Sequence, residues 1–396
     1  MAWVIGWDLI LEMLMAGSVV SKYWGVYLNQ FFELIGWNIN TNIAIGSFNF
    51  DLAPVIIVAF FTALLVMGTK IGARVDGALT ILKIAIVVFI VVVGFFYIKA
   101  ENFTPFIPLS EPAASTDGSG VSAVMEQPLW QWATGMAPSI YGVTGIISGA
   151  ALVFFAFLGF DVVATASEET INPKKNVPLG IGVGLGLIIV LYTLVAIVTT
   201  GMVSYKDLAK QSDPSLAVAF KMVGADWAAK IISLGIVIGM ATVVMVLLLG
   251  LTRVVFAMSR DGLLPRGLSH TGKHGTPVRL QIIVGVVMAL IAACCNVGIL
   301  SDMVNIGTLS AFTLVAISIP IMRKKRPDLE RSFKIPGNPW VPILIAIANL
   351  WLMVNLSVLT WIRFVVWLIV GFAIYFGYGY RHARLGAGEL EVAAQE

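Results

Sequence analysis

Ten apolar stretches dominate this sequence, and each is close to the length that crosses a lipid bilayer as a helix. A bilayer core takes about 20 consecutive apolar residues in helical form. Lipid offers no partner for open backbone groups, so helices are the expected spanning structure. We therefore expect an all-α, polytopic membrane protein, with spans over residues 2–28, 53–69, 77–99, 143–168, 178–203, 228–257, 278–297, 300–322, 340–358 and 361–380.

Composition supports a chain that faces lipid and gives no indication of catalysis. Hydrophobic residues make up 59% of the sequence and charged residues only 12%, against about 25% charged in soluble proteins. The net charge of +3 suggests no nucleic-acid partner. The two cysteines are adjacent, and the three histidines lie in or beside polar connections, so we expect no disulfide framework, no metal, no cofactor and no enzyme (Cys294, Cys295, His270, His274, His382).

The distribution of lysine and arginine among the connections predicts the orientation. Basic residues are frequent in every second connection, such as 70–76, 259–278 and 323–334, and sparse in the others, with 204–227 as a weak exception. Cytoplasmic loops carry the excess of positive charge, so both termini are expected in the cytoplasm of a cell-membrane protein. We expect one transmembrane domain over 1–380, an outer loop over 100–142, a basic cytoplasmic loop over 259–278 and a cytoplasmic tail over 381–396. The outer loop is either a lid or a solvated connection, and the basic loop is most simply explained by orientation.

The fourth span contains the most informative local pattern. Its glycines stand at 142, 145, 149 and 159, and Gly159 interrupts an aromatic-rich core. Glycine is a poor helix former, so the helix is expected to open there. An unwound turn within a membrane is tolerated where its amides and carbonyls line a cavity or bind a ligand. The alternative is a glycine that only lets a neighbouring helix approach. Asp161 directly follows the expected break, as a helix cap or as a residue for gating or proton handling.

Three charged residues in spans one and three form a second candidate site. Asp8 and Glu12 are four residues apart and share a helix face. Lys83 lies in span three, and at about 1.5 Å per residue its depth is comparable with that of Glu12, so the two could pair. Lys83 either extends to the cytoplasmic interface or is desolvated and changes its protonation during function.

Several motifs, in the same order, resemble the amino acid–polyamine–organocation superfamily of permeases, and most closely its bacterial branch that is similar to cationic amino acid transporters. They span nearly the whole chain, and their order makes the resemblance specific. The segments are Gly6 to Glu12, the helix around Lys83, Thr104 to Pro108, Val153 to Asp161, Glu168 to Pro173, Thr252 to Pro265, Val304 to Phe312 and Arg326 to Leu329.

The resemblance implies a twelve-helix fold in which the first ten helices form two inverted repeats, and it matches the ten spans to family helices three to twelve. It implies that Phe155 is an aromatic gate and that the backbone of Phe155, Ala156 and Leu158, beside Gly159 and Asp161, binds an α-ammonium group. It places Lys83 at the position that sodium occupies in other transporters, with Glu12 and Thr242 near it. The expected partners are an amino acid, protons and the lipid bilayer.

By the same resemblance, the chain lacks the first two family helices, which would supply the glycine-rich turn for the substrate carboxylate. The leading hypothesis is sodium-independent, proton-coupled amino acid transport by alternating access. The alternative is a non-transporting permease remnant with a structural or regulatory role in the membrane. A membrane enzyme and a channel fit the residues less well, because no acid, nucleophile or metal-ligand cluster and no repeated pore ring is visible.

Overall fold

A computed structural model describes residues 2–37, 41–45, 48–67, 73–112, 124–137, 139–160, 163, 170–211, 214–270, 276–328, 335 and 337–383. The helices are α1 (Ala2–Leu34), α2 (Leu52–Val66), α3 (Ala73–Phe95), α4 (Leu129–Thr134), α5 (Gly142–Val153), α6 (Pro173–Met202), α7 (Tyr205–Ala209), α8 (Leu216–Met222), α9 (Asp226–Arg260), α10 (Val278–Cys294), α11 (Val297–Lys325), α12 (Trp340–Val354), α13 (Val358–Ile374) and α14 (Tyr380–His382). Two short antiparallel pairs join β1 (Asn42–Ile45) to β2 (Phe48–Asp51) and β3 (Glu111–Pro112) to β4 (Ser139–Ile140).

Each of the ten predicted spans contains an apolar helix within the described residues, which confirms the all-α polytopic class. Within the described residues, six helices have the length and composition to cross a membrane, and four shorter apolar helices accompany them. The shorter ones are Leu52–Val66, Gly142–Phe157, Val278–Cys294 and Trp340–Val354. The inverted-repeat arrangement and the domain boundaries stay predictions.

The predicted end of the first span was wrong. The helix continues to Leu34, because glycine and proline are absent from residues 26–35 and nothing stops it before Gly36. Gly36 adopts φ +87°, and Trp37 N–H donates to the carbonyl of Phe32 at 2.8 Å, the capping pattern that glycine allows just beyond a helix. The predicted connection over 29–52 therefore contains a helical turn and a β-hairpin. The connection over 204–227 likewise holds α7 and α8.

Helix α1 is the centre of the molecule. It packs against α9 and α11, and also against α10 and α2. Polar and charged side chains within an apolar span are favoured in the interior of a helix bundle rather than against lipid. Its buried tryptophans and methionines form the largest hydrophobic cluster together with side chains of α2, α9 and α10. Helix α1 therefore carries its charged residues into the interior of the bundle.

The predicted outer loop over 100–142 contacts the junction of α12 and α13. Gln127 and Leu129 exchange backbone hydrogen bonds with Val358 and Leu356, at the junction of α12 and α13. The side chain of Gln131, on α4, is buried. Residues 127–131 of this loop thus pack on the bundle, while most of its other described residues are exposed.

Candidate functional site

The fourth span is interrupted at the position that its glycine predicts. Helix α5 ends at Val153, a 3₁₀ turn covers Phe154–Phe157, and Leu158 is extended with ψ 152°. Gly159 has φ +110°, a conformation that residues with a side chain rarely adopt. The prediction of a broken helix is confirmed. Asp161, the other predicted residue at this point, lies outside the described residues, as do Glu168 and Glu169.

Gly159 is required for its backbone conformation rather than for close helix packing. A Cβ atom built on it would meet no atom within 4 Å in the part of the chain that the structure describes. Glycines that serve close packing look different: Gly285 on α10 leaves no room for a Cβ beside Thr62 of α2. The packing alternative for Gly159 is therefore not supported.

The four described residues assigned to the substrate site form one continuous backbone segment beside the core. The carbonyl of Phe155 accepts a hydrogen bond from the Leu158 N–H at 3.2 Å, and Ala156 is exposed. The side chains of Phe155 and Leu158 pack against one buried cluster of three other helices, formed by Ala16, Val19, Leu247, Leu300 and Val304. This places Phe155 against α1, α9 and α11. Its role as a gate stays a prediction.

Side chains from two other helices hold the interrupted segment. The hydroxyl of Tyr192, on α6, donates to the carbonyl of Ala156 at 2.8 Å, and its ring lies 5.3 Å from that of Phe157. The amide of Asn305, on α11, donates to the carbonyl of Leu152 at 3.1 Å. These carbonyls belong to the end of a helix and to a 3₁₀ turn, where the regular α-helical pattern leaves groups that need other donors.

The sequence pattern alone does not single out Tyr192 or Asn305. Tyr192 lies in an apolar helix with no motif around it. Asn305 lies within the Val304 to Phe312 motif, and its amide in an apolar span was the available signal, because buried polar groups in membranes are costly.

The second candidate site brings Lys83 and Thr242 to the same turn of α9. A Cβ at Gly239 would lie 3.3 Å from Cγ of Lys83, so the aliphatic part of the lysine lies over this glycine. The hydroxyl of Thr242 donates to the carbonyl of Gly239 at 2.8 Å and is buried. Glu12 is 3% exposed on α1, which packs against α9. A pair between Glu12 and Lys83 stays a prediction.

The carboxyl groups of Asp8 and Asp302 and the side chain of Lys22 also lie within the spans. Asp8 is fully buried, and the Ser310 hydroxyl donates to its Oδ2 at 2.9 Å, while its Oδ1 has no hydrogen-bond partner among the described residues. The Thr360 hydroxyl donates to Asp302 at 3.0 Å. Lys22 donates from α1 to the carbonyl of Cys295 at the end of α10. The sequence pattern alone does not single out this lysine. Neutral hydroxyls are thus the described hydrogen-bond donors to both carboxyl groups.

The fold and this site define a polytopic helical membrane protein with one span broken at a glycine. The family model described as "Amino acid permease" matches residues 1–377, so the chain belongs to the amino acid permease family. The chain is 40% identical to a branched-chain amino acid permease of Bacillus subtilis (strain 168), over 97% of this chain and 77% of the relative. It is 39% identical to a methylthioribose transporter of the same organism over the same shares. It is 34% identical to "Cationic amino acid transporter 3, mitochondrial" of Arabidopsis thaliana, over 83% of this chain and 50% of the relative.

The family confirms the resemblance inferred from the motifs. It supports amino acid transport as the broad activity, and the relatives named above are transporters rather than enzymes. A multi-pass protein of the cell membrane is consistent with this family and with the apolar helices.

Proposed function

We propose that this chain carries amino acids across the cell membrane without sodium, coupled to protons, by alternating access around the broken span. The observation that supports this most strongly is the backbone at Gly159. Its φ of +110° follows the 3₁₀ turn, and residues 154–159 therefore leave the regular α-helical hydrogen-bond pattern beside an apolar cluster. Backbone dipoles at an interrupted span suit the charged ends of a zwitterion, because carbonyls attract an ammonium group and helix N-termini attract a carboxylate.

The surroundings of the break favour a neutral side chain in the substrate. Phe155 and Leu158 pack in an apolar cluster, so a substrate side chain beside them would be desolvated. A cationic side chain would need a carboxylate there, because burying a charge without a partner is costly, and the carboxylate nearest to the break in the sequence is that of Asp161. The relatives are named for branched-chain amino acids, cationic amino acids and methylthioribose. We therefore expect branched-chain and other neutral amino acids to be better substrates than cationic ones.

Lys83 supplies the reason for independence from sodium in this proposal. The aliphatic part of its side chain crosses Gly239, whose carbonyl binds the buried Thr242, and in this proposal its ammonium group takes the place of a sodium ion between α3 and α9. A fixed ammonium repels a second cation, and its proton is one that desolvation can make exchangeable. Glu12 and Asp8 on the neighbouring α1 are the candidate carboxyl groups for the same proton path.

The direct test is uptake by the purified chain in proteoliposomes. The panel contains labelled leucine, alanine, lysine and methylthioribose, with and without sodium and with an imposed proton gradient. We expect leucine or alanine uptake that is unchanged by sodium and stimulated by an inward proton gradient. Lys83→Ala should abolish it, while Lys206→Ala, a change in an exposed lysine outside the spans, should not.

Each other outcome of this experiment is informative. Sodium-dependent uptake would contradict the role of Lys83, and full activity of Lys83→Ala would remove this residue from the mechanism. Uptake of methylthioribose alone would change the substrate class. No uptake of any solute would favour the non-transporting alternative.

A further inference from the structure

Helix α11 contacts the broken span on both sides of its interruption. Two of its side chains, Asn305 and Phe312, make these contacts, and they are seven residues apart. Seven residues correspond to about two helical turns, or roughly 10.5 Å along the helix, so both side chains lie on the same face. One face of α11 therefore runs along the interrupted segment.

Asn305 binds the end of the first half of the span. Its side chain is fully buried, and its Nδ2 donates to the carbonyl of Leu152, one residue before the end of α5. The reverse orientation of the amide would place its oxygen against that carbonyl oxygen, so the donor must be the NH₂ group. Oδ1 has no hydrogen-bond partner among the described residues. Leaving a buried acceptor without a partner is unfavourable. The hydrogen bond that Asn305 donates to Leu152 is the described interaction that favours an asparagine at this position.

Phe312 contacts one aromatic ring before the break and one after it. Its ring centroid lies 6.1 Å from that of Phe154, with the planes 75° apart, and 5.2 Å from that of Phe160, with the planes 40° apart. Phe154 begins the 3₁₀ turn, and Phe160 follows Gly159. Aromatic pairs at these separations attract one another in tilted and edge-on arrangements. A single side chain of α11 therefore links the two parts of the span.

We propose that Asn305 and Phe312 are positioning residues that fix the backbone on the two sides of Gly159, from Leu152 to Phe160. A glycine with free dihedral angles allows many relative orientations, and a binding site made of backbone groups needs one of them. The amide of Asn305 binds the carbonyl of Leu152 near the end of α5. The ring of Phe312 contacts Phe160, the residue after Gly159. The effect of this positioning on transport rests on the function proposed above, whereas the positioning itself is a property of the fold.

Asn355 provides a matched control for Asn305. It is also buried, and its Nδ2 also donates to a carbonyl, but that carbonyl belongs to Trp351 of its own helix, at 2.7 Å. Asn305→Ala and Asn355→Ala thus remove the same side chain and the same kind of hydrogen bond. Only the first removes a link to the broken span. Phe312→Leu and Phe312→Tyr form a second matched pair, because leucine loses the ring contacts and tyrosine keeps them.

The experiment measures two quantities for each full-length variant. Amide hydrogen exchange over residues 154–160 reports the order of the segment, and the concentration dependence of uptake gives KM and the maximal rate. For Asn305→Ala we expect faster exchange in this segment and a KM raised about 2-fold to 12-fold, the range that one net hydrogen bond supplies. Asn355→Ala should leave both unchanged even if it lowers the melting temperature equally. Phe312→Leu should behave like Asn305→Ala, and Phe312→Tyr like the wild type.

Two results would overturn the inference. One is equal exchange over 154–160 in the two asparagine variants, which would make Asn305 an ordinary buried residue. The other is faster exchange with unchanged KM, which would leave the residue structural. If the wild type transports nothing, the proposed function fails, and the exchange data alone decide whether the two side chains position the span.

Discussion

At the scale of single residues, the broken span depends on hydrogen-bond donors from distant parts of the chain. The Tyr192 hydroxyl is the donor to the Ala156 carbonyl, and it lies 36 residues away in the sequence. A typical hydrogen bond of this kind contributes about 0.5–1.5 kcal/mol net. The same carbonyl is part of the backbone segment that we propose for the substrate ammonium. Its orientation should therefore affect binding.

Removing this hydroxyl should weaken transport without removing the aromatic contact. Tyr192→Phe keeps the ring beside Phe157 and leaves the Ala156 carbonyl without its donor. We expect a KM raised about 2-fold to 12-fold, from the net value of one hydrogen bond, measured as uptake in proteoliposomes. Thr193→Val is the control, because the Thr193 hydroxyl binds the Ile189 carbonyl of its own helix. Equal effects of the two changes would show that the loss is unspecific.

At the scale of helices and their ends, glycine and capping residues decide where the apolar segments stop. Gly36 and Gly159 both have positive φ, and both follow a helical segment. These ends are local properties, since few residues other than glycine adopt such angles without strain. The beginning of α2 is equally local, because the Asp51 carboxylate accepts from the Ala53 N–H at 3.1 Å.

A side chain at position 159 should strain the break even though there is space for it. Gly159→Ala forces a residue with a Cβ to φ +110°, which costs about 1–3 kcal/mol. We expect a lower melting temperature and a large loss of uptake. Gly149→Ala is the matched control: its Cβ also meets nothing within 4 Å of the described residues, but it lies within α5 at an ordinary φ. There, alanine should be neutral or slightly stabilising.

The helix cap at Asp51 predicts a pH dependence outside the spans. Burial raises the pKa of Asp51 above its ordinary 3.8, and this outweighs the hydrogen bonds from Ala53 and Thr41 and the charge of Lys22, which lower it. A raised pKa means that the neutral form is favoured in the folded state. This stabilisation is complete below pH 3.8 and is lost as the pH rises through the folded pKa.

An asparagine at position 51 should remove the pH-dependent loss of stability. It should keep the helix cap, because asparagine also caps helices well. We expect Asp51→Asn to melt at a higher temperature than the wild type at pH 7, with a difference that shrinks as the pH falls towards 3.8. Thermal unfolding in detergent across this range measures it. A wild type that is more stable than the variant at pH 7 would show that the carboxylate charge is favourable there.

At the scale of the whole molecule, helix α1 organises the bundle, and basic residues predict its orientation. Lys174 and Lys175 stand in the first turn of α6, and Arg323, Lys324 and Lys325 in the last turn of α11. Positive charge favours the cytoplasmic side, so both of these ends are expected there, together with both chain termini.

A pair of introduced cysteines tests this orientation in a variant with Cys294 and Cys295 replaced by alanine. Lys175 and Glu101 are both exposed, at ends of helical segments that we expect on opposite sides. An impermeant maleimide should label Glu101→Cys on intact cells and Lys175→Cys only after permeabilisation. The reverse pattern would invert the proposed topology.

The sequence predicted the spans and the position of the break well, and the partners of the break poorly. Apolar runs and a glycine within one of them act through local physics: lipid solvation selects the runs, and backbone sterics select Gly159. The family resemblance grouped Lys83 with Thr242, and in the structure the lysine lies over Gly239, whose carbonyl accepts from Thr242; their role in ion coupling stays a prediction. Tyr192 and Asn305 could not be assigned, because each has an ordinary sequence context and acquires its role from the helix that lies opposite.

The sequence by itself therefore determined that this chain is a bundle of membrane helices with one span broken at Gly159. Only the tertiary structure decided which side chains hold that break: Tyr192 from α6 and Asn305 and Phe312 from α11. The physical reason is that solvation and dihedral preferences belong to a residue and its neighbours along the chain. A hydrogen bond between helices exists only once packing has set their distance and rotation.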